Sequence, residues 1–140
     1  MKPETEVRVG LAEDDFATAE WLLERPDLLP RSVGFSAQQC VEKYLKGVAE
    51  EASRPMPRIH DLRVLFDGVA DLVPELAPLQ EDVSSMTPFA GVLRYPYDES
   101  LFPKIEDAAE QAAATMRTVR SIVRAALGIP PQASAEVGAG

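Results

Sequence analysis

Residues 32–48 read Ser-Val-Gly-Phe-Ser-Ala-Gln-Gln-Cys-Val-Glu-Lys-Tyr-Leu-Lys-Gly-Val. Within them Ala37, Val41, Tyr44, Leu45 and Val48 recur at steps of three and four, the period of an α-helix with one inward stripe. A half-buried strand would alternate at two, and no stretch of the chain does so strictly. Ser32 is a suitable N-cap, the helix is expected to run to about Ala52, and Gly47 weakens its interior slightly.

The same period extends outward on both sides. From about Glu4 to Glu24, Val9, Ala12, Phe16, Ala19 and Leu23 form one stripe, with Glu13, Asp14, Glu20 and Glu24 mostly off it. Pro26 and Pro30 bracket the connector to the next helix. On the other side, Pro55 and Pro57 exclude helix from residues 53–60, a loop that delivers His60 to a third helix capped by Asp61. That helix carries Leu62, Leu65, Phe66, Val69 and Val73 and stops before Pro74; a ragged fourth follows near Leu76–Phe89, interrupted by Pro78 and Pro88. Residues 90–102, rich in Gly, Arg, Tyr and Pro, read as a structured loop. The last helix opens near Pro103, places Glu106 and Asp107 early and Arg117, Arg120 and Arg124 late, and ends at Gly128 before Pro130. The late arginines are explained at this level by the helix dipole. The expected fold is all-α, an antiparallel up-and-down bundle of four to five helices in residues 1–128, with residues 129–140 as a flexible tail.

The chain has 140 residues, 46% of them hydrophobic and 26% charged, proportions of one soluble globular domain. A net charge of -9 argues against bulk binding to a phosphate backbone but leaves room for a local basic patch. Cys40 is the single cysteine, so an intramolecular disulfide and a cysteine-built zinc site are excluded and a reducing, cytoplasmic setting is expected. No signal-like or membrane-spanning run is present in the sequence, and no membrane association is expected.

Three clusters could carry chemistry. Gln39, Lys43 and Lys46, spaced by four and three, share a helical face that could offer an amide and two ammonium groups to an anion; the ordinary alternative is a solvated face with a Glu42–Lys46 pair. Two of only four lysines lie here. In Arg58-Ile59-His60-Asp61-Leu62, His60 beside Asp61 could be an oriented general base, or Asp61 caps the helix while His60 is anchored by a backbone carbonyl. In Arg94-Tyr95-Pro96-Tyr97-Asp98, Arg94 offers a fork for phosphate and Tyr95 or Tyr97 a stacking ring, unless they tie the loop to the core rim. No nucleophile is marked, since Cys40 lies on an apolar face, and one histidine is a poor start for a metal site.

Taken in order, these clusters resemble the HEPN family of small helical domains. Ala12-Glu13-Asp14-Asp15-Phe16 with Ala19 is similar to its first-helix pattern, and Phe35-Ser36-Ala37-Gln38-Gln39 with Glu42-Lys43, Leu45 and Lys46 to its second-helix signature. His60-Asp61-Leu62 and Arg94-Tyr95-Pro96 match its His-Asp-Leu and Arg-Tyr-Pro. The resemblance implies a homodimeric helical bundle associated with a nucleotide or RNA. It further implies a minimal nucleotidyltransferase partner, in some members as a toxin-antitoxin pair. Other branches are metal-independent endoribonucleases with an Arg, four to six residues, then a His. Here residues 99–101 after Arg94 are Glu99, Ser100 and Leu101, so that histidine is missing; Arg54 and His60 fit the spacing but occupy the wrong loop. The expectation is therefore a non-catalytic binding protein without cofactor or metal, using Gln39, Lys43, Lys46, His60, Arg94 and Tyr95 for a nucleotide or similar ligand. A ribonuclease and a structural helical adaptor are the alternatives.

Overall fold

The computed structural model describes residues 1–25, 27, 29–91 and 104–131, and the described residues are helical with no strand. Three long helices, α1 (Pro3–Leu23), α2 (Pro30–Glu51) and α5 (Ile105–Ala126), form the frame, with short α3 (Leu62–Asp67) and α4 (Gln80–Ser84) between α2 and α5. Cross-helix pairs set the directions. Arg8 with Glu50 and Tyr44 with Glu13 run α1 antiparallel to α2, and Glu13 with Arg120 and Glu20 with Arg117 run it antiparallel to α5. The stretch from α3 to α4 is the returning leg, so the bundle is up-and-down with its third leg broken into pieces.

Each break has a cause. Pro30, not Ser32, opens α2, because proline at the first helical position has its φ preset and gives up only an N–H that would be unpaired there. Asp61 caps α3 by accepting from the amides of Arg63 at 2.9 Å and Val64 at 3.4 Å. The helix stops at Asp67, short of the expected Val73: Arg54 Nη1 takes the carbonyl of Gly68 at 3.0 Å, and Val69 and Val73 are buried from turns instead. Prolines 74, 78 and 88 turn the ragged fourth helix into two 3₁₀ segments, Pro74–Leu79 and Thr87–Ala90, flanking the five residues of α4.

The core is assembled around α2, whose Val33, Ala37, Val41, Tyr44 and Leu45 are fully buried. On α1, Val9, Ala12 and Ala19 are buried as their stripe predicts, with Phe16 and Leu23 partly so. Phe89 packs so closely on Gly34 that a Cβ there would lie 2.1 Å from the ring. Trp21, the only tryptophan, is on the outer surface at 55% exposure, with the Arg25 guanidinium 4.0 Å from its ring centroid. No helix among the described residues is long and apolar enough to cross a membrane.

The late arginines of α5 do more than oppose the dipole. Arg120 grips Glu13 with two bonds of 2.7 Å and lies over the Phe16 ring; Arg117 grips Glu20 at 2.6 and 3.0 Å; Arg124 stands 3.4 Å from Glu13. They fasten α5 to α1.

Both α2 and α5 end in the same motif. At α5, Gly128 takes φ 77°, the Ile129 amide bonds the Arg124 carbonyl at 2.9 Å and the Gly128 amide that of Ala125 at 3.0 Å. At α2, Arg54 to Ala49 at 2.8 Å and Ser53 to Glu50 at 3.0 Å repeat it, but the left-handed residue, at φ 55°, is a serine. A Cβ in that conformation costs about 1 kcal/mol. Ser53→Gly should therefore raise stability by about 1 kcal/mol in urea unfolding; an unchanged or lower midpoint would show that the bond the Ser53 hydroxyl accepts from Lys2 Nζ outweighs the strain. Gly34→Ala, by contrast, should lower it by about 1–3 kcal/mol through overpacking against Phe89, and a neutral result would mean that this contact yields freely.

Candidate functional site

On one side of α2, Gln38, Val41, Glu42 and Leu45 occupy the spacing of an inward stripe, so two polar residues point where the pattern calls for apolar ones. Gln38 is fully buried and Glu42 only 4% exposed. A buried carboxylate persists only where hydrogen bonds replace lost water. Glu42 Oε1 accepts from Gln38 Nε2 at 3.0 Å and lies 2.8 Å from His60 Nδ1, while Oε2 takes Lys46 Nζ at 3.1 Å. Gln39 Nε2 donates to Gln38 Oε1 at 2.7 Å, and Gln38 also reaches the His60 carbonyl at 3.4 Å.

Four side chains thus meet on Glu42 or on the amide that supports it. The carboxylate requires His60 Nδ1 to carry a proton, which leaves Nε2 on the outward edge of a ring whose side chain is 68% exposed. Burial pushes the Glu42 carboxyl up, but the bonds from His60, Gln38 and Lys46 and the Lys46 charge outweigh it and hold the group below its ordinary 4.5. The cluster presents an oriented imidazole, an ammonium and an amide at one surface.

The sequence-derived site residues separate accordingly. Gln39, Lys46 and His60 come together. Lys43 does not join them, because it turns to Asp15 of α1. Arg94 and Tyr95 lie outside the described residues. Asp61 is spent as a cap, so the acid that orients His60 is Glu42 and not its neighbour, and the ring is fixed by a carboxylate rather than by a backbone carbonyl. Glu42, read from the sequence as half of a solvated pair with Lys46, is buried instead, and Gln38 with it; the signal that could have found them is their helical spacing to the apolar Val41 and Leu45. Cys40 is fully buried, and burial followed by the Glu13 and Asp15 charges pushes its thiol far up, so it does not supply a thiolate.

A profile described as the HEPN domain matches residues 5–126. No curated protein and no solved structure matches the chain.

The depressed carboxyl sets the sign of a pH effect. A group whose folded pKa is lowered contributes stability above its unfolded value and loses it as pH falls. Glu42 should therefore stabilise the fold fully at neutral pH and lose that contribution as pH drops below 4.5. Urea unfolding between neutral and acid pH should show Glu42→Gln less stable by about 1–3 kcal/mol at neutral pH. The gap should close in acid. A gap independent of pH would refute the ionised network.

Proposed function

Because the chain belongs to the HEPN domain family, we propose that it is a non-catalytic binding protein of that family, taking a nucleotide at the surface around Glu42. The observation that carries this reading is the convergence of Lys46 and His60 on one buried carboxylate, with Gln39 on the Gln38 amide that supports it, which offers fixed donors to an anion. In this reading His60 and Lys46 meet phosphate oxygens, and Arg94 and Tyr95 add a guanidinium fork and a stacking ring. The absence of histidine from residues 99–101 supports the non-catalytic assignment. Membership of the family further supports a homodimer and a minimal nucleotidyltransferase as protein partner, as in a toxin-antitoxin pair. The lone buried thiol fits a cytoplasmic setting.

One observation favours a second reading. A histidine held by a buried glutamate, with its other nitrogen outward, is the arrangement of a general acid or base, and Lys46 beside it could stabilise charge on a phosphate. That combination would suit a metal-independent endoribonuclease.

Thermal unfolding with adenosine and guanosine triphosphate separates the two. A ligand that binds only the folded state stabilises it by about 2.7 kcal/mol at a hundredfold excess over Kd, so one or both should raise the midpoint, and His60→Gln should reduce the rise. No rise with either nucleotide would remove the binding reading. RNA cleavage lost in His60→Gln would establish the second.

A further inference from the structure

Lys46 belongs to a second feature that the Glu42 cluster does not explain. Between α1, the end of α2 and the loop that follows lies a cleft of about 620 Å³, within the roughly 300–1,000 Å³ of small-molecule sites. Its wall carries Arg8, Lys46, Arg54 and Arg58 against one carboxylate, Glu50. Four of the chain's 14 cationic side chains thus share one concavity in a molecule of net charge -9.

These cations are positioned but not used up. Arg8 binds Glu50 through Nε at 3.1 Å and Nη2 at 3.5 Å, leaving Nη1. Arg54 spends Nη1 on Gly68 and Asp71, at 3.0 and 2.7 Å, and Nη2 on Asp71 at 3.1 Å, leaving Nε. Lys46 gives one of its three ammonium protons to Glu42. Arg58 has no hydrogen-bond or ion-pair partner among the described residues. The segment Arg54-Pro55-Met56-Pro57-Arg58 fixes φ at two of its five positions and anchors Met56 against the core, so the cleft's arginines at either end are preorganised. Ser53, the residue in the left-handed conformation, lines the same cleft and adds a hydroxyl where glycine would be easier to fold.

We infer that this cleft binds a multiply charged oxyanion of the phosphate class, the di- or triphosphate end of the nucleotide proposed above. The identity of the carrier rests on that reading; the chemistry of the cleft does not. The carboxylates behind Arg8, Lys46 and Arg54 orient them, and Arg58 supplies the uncompensated charge. Phosphate oxygens then accept the unspent N–H groups in charge-assisted bonds.

Calorimetric titration of the whole chain at low salt tests the inference, with sodium tripolyphosphate, adenosine triphosphate and adenosine as separate probes. Tripolyphosphate should bind, and adenosine alone should not compete with it. Binding should weaken with added salt. Arg58→Gln, at an exposed position without a partner among the described residues, should keep the fold and lose about tenfold in tripolyphosphate affinity, the scale of one charge-assisted bond. Arg63→Gln, outside the cleft and paired with Asp67 at 3.2 Å, should leave it unchanged. Wild-type protein that ignores tripolyphosphate, or an equal effect of the two variants, would overturn the inference. If adenosine triphosphate binds regardless of Arg58 while tripolyphosphate does not bind, the cleft is excluded and the nucleotide reading stands. If tripolyphosphate binds through Arg58 and adenosine triphosphate binds no better, the cleft stands and the nucleotide reading falls.

Discussion

The carboxylate of Glu13 is the point at which the three long helices are tied. It takes two bonds from Arg120 of α5 and the Tyr44 hydroxyl of α2, with Arg124 at 3.4 Å. Burial pushes this carboxyl up, but the Arg120 and Tyr44 bonds and the charges of Arg120 and Arg124 bring it below its ordinary 4.5. The Arg120 and Glu13 side chains are only 20% and 25% exposed, so their attraction is less screened than that of Arg117 and Glu20, whose surface pair is worth about 0–1 kcal/mol. Apolar burial supplies the bulk of the stabilisation and has no direction. The Glu13 node adds direction, because sliding any of the three helices by one turn would strand a half-buried acid or arginine without its partner.

A second acid, the buried Glu42 of α2, governs the surface as the half-buried Glu13 governs the frame. Glu13 and Glu42 each gather donors from other segments, yet Glu13 closes its network inside the bundle while Glu42 holds an exposed ring and an ammonium at its edge. The acidic excess is spread over the chain, whereas four cations, Arg8, Lys46, Arg54 and Arg58, gather where α2 ends and the proline-braced loop begins. A strongly acidic protein can in this way retain one positive surface.

Much of the architecture was visible in spacing alone. The stripe of Val9, Ala12 and Ala19 and the inward row of α2 are fixed by helical period, which needs no tertiary knowledge, and Asp61 and Gly128 marked helix ends through local backbone chemistry. What was hidden depended on partners distant in sequence. Arg120 is 107 residues from Glu13, and no local rule distinguishes an arginine that meets a helix dipole from one that crosses to another helix. His60 and Glu42 are 18 residues apart, so the sequence offered only the adjacent Asp61 or a backbone carbonyl as a partner for the ring. Lys43 and Lys46 share a helical face on paper, but three residues on a helix are about 60° short of a full turn. That difference sends one toward α1 and the other toward Glu42.

Trp21 sits at the outer end of α1, largely in water, with Arg25 over its ring. Tyr44 is sealed in the core at the Glu13 node. The two chromophores therefore observe different events. Indole emission should be solvent-like in the folded protein and follow fraying of the first helix, whereas the part of the near-ultraviolet dichroism that Tyr44 adds to that of Tyr95 and Tyr97 reports whether the interior is packed. An unfolding curve recorded by tryptophan fluorescence would follow the rim of this protein, and its agreement with the tyrosine signal would measure how cooperatively rim and centre are joined.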